Sequence, residues 1–290
     1  MAKKVIGIIL IVSVIVKNNA QNDKLDFGKT GNKVRKDVPY FREIPCNKDM
    51  FYAFWVTYNY NFMSFKENFL GCILLKWMHD GNVKLEKSIR DGLFKDKEVS
   101  NIVFVSRPNN DNKYEGKLYD YMNEASKDGK LESKEFENWC KSNYSKIFNW
   151  FDDVLDNENL DLCNIGKVVR KDGKTFGVMK YKYFEVDPSM MEEAEKVAGL
   201  KKFLKEFTLI KERQPIEVSL WNEYLMFAQM FGIADEVAKQ FKELYPEIIT
   251  NMDSLGYDYG DIIFINTVSR NGIRSADTAR NRARSSYSGG

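Results

Sequence analysis

The sequence predicts a helix-rich α+β protein with an N-terminal hydrophobic helix. Three observations predict that class. Apolar residues at helical spacing run ahead of alternating strand pairs twice in the chain. A third region, residues 188–250, is helical throughout. The stretch Val5–Val16 carries no charged residue and is flanked by lysines.

Taken in order, VIGIILIVSVIV (Val5–Val16) lies between Lys3-Lys4 and Lys17. It is shorter than the roughly 20 apolar residues that a spanning helix uses. The exit KNNAQ lacks a small-x-small cleavage site. Lysines and arginines downstream (Lys17, Lys24, Lys29, Lys33, Arg35, Lys36) outnumber those upstream, which places the following body on the cytoplasmic side. The expectation is a single-pass anchor within residues 1–20, in the cell membrane, with a basic linker over 21–45.

Residues 46–110 form the first module. Asn47 is placed to cap a helix through Tyr60, with Phe51, Phe54, Trp55 and Tyr58 on one face. Ser64 and Glu67 have capping-box spacing for a second helix to about Met78. VKLEKSI (Val83–Ile89) and VSNIVFVS (Val99–Ser106) then read as strands around Asp91-Gly92. Residues 111–187 repeat the plan. Helices are expected over Tyr114–Ser126, Ser133–Cys140 and Ser145–Asn157. A hairpin follows over Ile165–Val186, with Asp172-Gly173 at its tip. Helices followed by a hairpin read as winged-helix-like modules. The fold expected is therefore two such modules and a small helical bundle.

The bundle holds a helix beginning near Met190 and a helical pair over Pro215–Pro246. Gly232 stands where a left-handed residue ends the first of that pair. Beyond it, DIIFINTV (Asp261–Val268) suggests a strand. Residues 251–290, rich in Arg, Ser and Gly, read as a largely disordered tail.

The composition narrows the function. Basic and acidic residues nearly cancel, 44 against 42, so no global field draws nucleic acid. Cys46, Cys72, Cys140 and Cys163 show no CxxC spacing and read as free thiols of a reducing compartment. The single histidine, His79, rules out His-rich metal sites and most His-based triads. EASKDGKLESKE (Glu124–Glu135) imitates a calcium loop, but Glu at its first position and Ser at its third are poor ligands. An Asp-Gly turn is the preferred reading. No phosphate-binding glycine loop, GxSxG or HExxH is present. No cofactor, metal or catalytic residue is expected.

Specific DNA reading needs basic and amide side chains on a recognition helix. The second module's candidate helix carries Asp152, Asp153, Asp156 and Glu158 instead. The basic positions that remain are Lys167, Arg170, Lys171 and Lys174 in the second hairpin, and Arg280, Arg282 and Arg284 in the tail. They are the candidate contacts for nucleic acid or lipid.

Gly199–Ile248 resembles the C-terminal cytoplasmic part of the YciQ-like predicted membrane proteins, a family of unknown function. LDFGKTGNKVRKDVPYFREIPCNKD (Leu25–Asp49), GCILLKWMHDGNVKLEK (Gly71–Lys87) and the stretch Glu124–Asp156 continue the likeness. The resemblance implies a membrane-anchored protein and carries over no catalytic residue. The expected function is thus a membrane-tethered cytoplasmic region that binds an unidentified protein, without catalysis. The alternative is a nucleic-acid-binding regulator using the hairpins and basic tail.

Overall fold

Asp49 sets the first long helix. Its carboxylate accepts from the backbone N–H groups of Phe51 at 2.8 Å and Tyr52 at 3.2 Å, satisfying donors that a helix start leaves open. Helix α1 then runs Met50–Asn59, with Met50 to Thr57 all buried. Asn47, the cap expected from sequence, lies instead in a left-handed turn. Cys46, Asn47 and Lys48 have φ of 56°, 54° and 63°. The Cys46 N–H donates to the Glu193 carboxylate at 2.6 Å, which fixes the turn from outside.

The structure, a computed structural model, describes residues 24–63, 65–90, 97–108, 112–126, 128–175, 179–207, 219–244 and 259–287. Strand β1 (Lys24–Asp26) precedes α1, and α2 (Glu67–His79), β2 (Val83–Arg90) and β3 (Lys97–Phe104) follow it. Next come α3 (Lys113–Ser126), β4 (Lys130–Glu132), α4 (Ser133–Ser142) and α5 (Tyr144–Asn164). The chain continues through β5 (Val168–Thr175), β6 (Met179–Val186), α6 (Met190–Lys205), α7 (Trp221–Phe231), α8 (Ala234–Leu244) and α9 (Tyr259–Tyr287). The class is helix-rich α+β, with nine α-helices among the described residues. The Ser64 and Asp91-Gly92 signals and Pro215 lie outside those residues.

Both hairpins form, but their third strands are exchanged. Strands β2 and β3 pair antiparallel from Val83↔Phe104 to Arg90↔Lys97, and β4 adds to β3 with Leu131 opposite Ile102. Strands β5 and β6 pair antiparallel, and β1 joins β6 in parallel, Lys24↔Tyr183 to Asp26↔Glu185. So the segment ahead of each hairpin completes the other hairpin's sheet. Asp172 and Gly173, expected at the tip, are ladder residues opposite Lys182 and Tyr181.

One apolar core runs through these elements, from Ile44 to Ala276. Phe54 of α1 stacks on Phe69 of α2 with ring centroids 4.0 Å apart, and Phe69 in turn faces Trp150 of α5. Helix α2 also packs against α7 and α9. Gly232 ends α7 at φ 75°, a conformation a Cβ resists.

Two expectations are corrected. Residues 259–287, read as a strand followed by a disordered tail, form one helix of 29 residues. Ile262, Ile265, Val268, Ile273 and Ala276 are buried, and α9 packs on α4, α2, α5 and α8. The second correction concerns the membrane. Among the described residues, no helix is long and apolar enough to cross one. The two longest are too polar: α5 carries Asp152, Asp153, Asp156, Glu158 and Asp161, and α9 carries five arginines. The single-pass anchor, the membrane as partner and the cell-membrane location are therefore not supported. Val5–Val16, which carried them, lies outside the described residues.

Candidate functional site

The second hairpin is a ribbon whose outer half is solvated on both faces. Alternation along the strands sorts its side chains. One face holds Val168, Val186 and Phe184, all buried at the base. Arg170 lies over Phe184, 5.7 Å from the ring centroid. Further out this face is charged, with Asp172 opposite Lys182 and Lys174 opposite Lys180. Like charges placed directly across a ladder repel, so an anionic partner would relieve the Lys174–Lys180 pair.

The other face carries Val169, Lys171, Tyr181 and Tyr183. Val169 is 48% exposed and Tyr181 44%. The Tyr181 ring lies over Gly173, where a Cβ would meet ring carbons at 2.4–2.8 Å. Glycine therefore lets the ring lie flat on the opposite strand. Tyr183 stands beside it with centroids 5.8 Å apart. Lys171 pairs with Glu185 at 2.6 Å, and that carboxylate holds the ammonium above its ordinary range.

The seven basic positions picked from sequence divide between two places. Lys167 is committed to the ribbon's base, its Nζ donating to Ser189 Oγ at 2.9 Å. Arg170, Lys171 and Lys174 lie on the ribbon. Arg280 turns inward, 3.8 Å from the Phe148 ring centroid and paired with Asp277 at 2.5 Å. Phe148 belongs to the first turns of α5, whereas the hairpin leaves the other end of that helix. Sixteen helical steps, roughly 24 Å, separate Phe148 from Asn164. The hairpin and the C-terminal arginines are therefore separate surfaces.

Arg282 lines an open groove of about 430 Å³ between α4 and α9, with Lys134, Lys141 and Arg274. The groove has no signal in the sequence, because its α9 wall has the composition of a disordered tail. Arg284 is exposed near the end of α9. A second cleft, of about 480 Å³, lies between the β1 segment, α1 and α5, where Trp55 Nε1 donates to Asn159 Oδ1 at 2.7 Å.

The helices that a DNA reader would insert into a groove are core elements. From Glu67 to Met78, every α2 residue except Lys76 is buried. Helix α5 buries Ile147, Trp150, Phe151 and Val154, and its Asp152 and Asp153 pair with Lys66 and Lys117, each at 3.1 Å. Buried titratable groups are numerous. Burial raises the Cys46, Cys72 and Cys140 thiols. It also pushes Glu158 up to about 8, with the Asp49 and Asp161 charges adding to the effect. None of these four lines either cleft.

The calcium-like loop is a turn. Gly129 has φ 84°, its N–H donates to Ser126 Oγ, and Asp128 Oδ1 accepts from Lys130 N–H at 3.0 Å. Two would-be ligands thus serve the loop's own backbone. Among the described residues no group of three or more His, Cys, Asp or Glu side chains could hold a metal ion.

Residues 176–241 match the C-terminal domain of the predicted membrane protein family DUF2207. The resemblance read from the sequence is borne out over that span. No curated protein and no solved structure matches the chain. The matched span takes in β6, α6 and α7 and most of α8. It also carries Tyr181 and Tyr183 of the ribbon.

Proposed function

We propose that this protein is a non-catalytic interaction module that presents its β5–β6 ribbon to a protein partner. The observation that carries the reading is the ribbon's outer half, exposed on both faces, with Val169 and Tyr181 open on one of them. An isolated two-stranded ribbon gains little stability of its own, and a docking partner would supply the missing packing. The helix–hairpin units are winged-helix-like in this reading, with the wings rather than the buried helices in contact with the partner.

The test places a photo-crosslinking residue at Val169 or at Tyr181 in the full chain in its native cells, with Lys239 on α8 as the control position. Discrete protein adducts from the ribbon positions alone are expected. The same adducts from Lys239, or none from the ribbon, refute the reading.

A nucleic-acid role is the second reading, favoured by Lys174, Lys180 and Lys182 on one ribbon face. Neutralised phosphates give a steep loss of affinity with salt. Fluorescence anisotropy with a labelled single-stranded 20-mer in low and high salt separates the two. Tight binding that K174E/K180E/K182E abolishes would favour this second reading.

A further inference from the structure

The α4–α9 groove is built differently from the ribbon. Its two walls are polar stripes at helical spacing. On α4 the cations are Lys134 and Lys141, and on α9 they are Arg274 and Arg282. On each wall the pair lies seven or eight residues apart, about 10 to 12 Å along the axis. Asn138, Ser275 and Thr278 stand between them, and Asn271 lies about one turn before Arg274. Glu137 is the one carboxylate in the lining, and it is taken up by Lys134 at 2.8 Å. Lys141, Arg274 and Arg282 have no ion-pair partner among the described residues.

The walls are held rigidly. Helix α9 approaches α4 at Gly272, where a Cβ would meet Phe136 at 2.6 Å and the Cys140 sulfur at 3.2 Å. Phe136 and Cys140 are fully buried. The cations therefore project from a close-packed helix pair, and their backbone positions are set before a ligand arrives.

The lining also limits what can bind. It contains no aromatic side chain on which a nucleobase could stack and no apolar wall for an acyl chain. Guanidinium groups match phosphate oxygens in a two-pronged geometry. The amides of Asn138 and Asn271 and the Ser275 hydroxyl can donate to oxygens that the cations leave unmatched.

We propose that the α4–α9 groove binds a phosphate-rich ligand without a nucleobase, either an inorganic oligophosphate or a phosphorylated polyol. The site is independent of the ribbon.

Isothermal titration of the full chain tests it, with tripolyphosphate and inositol hexakisphosphate as probes and ATP and inorganic phosphate as comparators. Saturable binding of at least one probe is expected, weaker for inorganic phosphate and no stronger for ATP than for tripolyphosphate. The tighter probe tells the two sources apart. R274Q/R282Q should weaken binding tenfold or more. Arg274 also influences the buried Glu67, so R282Q alone and K141Q serve as variants remote from that carboxyl. Each should weaken binding severalfold with unchanged thermal unfolding of the free protein. K174E/K180E/K182E should leave the titration as it is. Binding of neither probe at millimolar concentration overturns the proposal. So does affinity that survives R274Q/R282Q, or ATP binding well above tripolyphosphate.

Discussion

Glu158 is the sharpest point at which this fold opposes the chemistry of its own side chains. Only 7% of the residue is exposed, and it lies near Asp49, which caps α1, and Asp161 of its own helix. Burial first, then those two negative charges, lifts its carboxyl from 4.5 to about 8. The folded protein therefore holds a proton that the unfolded chain releases near pH 4.5. The stabilising contribution is fully present below pH 4.5 and is lost as pH rises through 8. Over that window stability falls by about 1.4 kcal/mol per pH unit, or about 3 kcal/mol from pH 5 to pH 7. Glu158→Gln keeps the shape and removes the titration. The variant should match the parent near pH 4.5 and exceed it by about 3 kcal/mol at pH 7. Urea unfolding at pH 5, 6, 7 and 8, read as the difference between the two proteins at each pH, isolates this group from others that titrate in both. A constant difference across the series would refute the argument.

Two further outcomes follow from packing. Gly272→Ala puts a methyl group into the α4–α9 contact against the buried Phe136 ring. It should cost about 1 to 3 kcal/mol, measured by urea denaturation, and unchanged stability would mean that the helices do not meet there. In native buffer one thiol of four should react rapidly with a disulfide reagent. Cys46, Cys72 and Cys140 are buried, with their thiols raised by desolvation, and Cys163 is partly exposed. Fast modification of a second thiol before unfolding would contradict that burial.

The hairpins were legible because alternation over seven or eight residues is a direct signature of pairing. The central helices were legible for a similar reason, since Trp221, Tyr224, Leu225, Ala228 and Phe231 repeat at helical spacing. Helix α9 was not. DIIFINTV is a short apolar run that suits either strand or helix, and the buried stripe then continues through Gly272 and Ala276. Small residues mark a close helix contact in three dimensions but resemble tail composition in one. With α9 hidden, the groove could not be seen, although Lys134, Asn138 and Lys141 already share a face of α4. The cap at Asp49 was missed by two residues. Asn47 and Asp49 are equally good capping types, and the left-handed turn that selects the second is held by Glu193, nearly 150 positions away. Exchange of β1 and β4 between the sheets had no local signal, because three-residue strands are placed by their neighbours.

That exchange bears on how the two proposed surfaces relate. Strand β4 leads directly into α4, one wall of the groove, and it is paired to the first hairpin. Strand β1 is paired to the base of the second hairpin. Helix α5 joins these regions, with Phe148 under Arg280 at one end and the β5–β6 ribbon leaving the other. A ligand bound between α9 and α4 would reach the start of α5 through Arg280 and Phe148. The ribbon's base, however, is fixed by different contacts: Lys167 to Ser189, and β1 to β6. Coupling between two sites requires an element with two arrangements that both sites bias. A single helix, packed along one face and clamped separately at each end, is the opposite of such an element. The groove and the ribbon should therefore act independently, with ligand in one leaving crosslinking at the other unchanged.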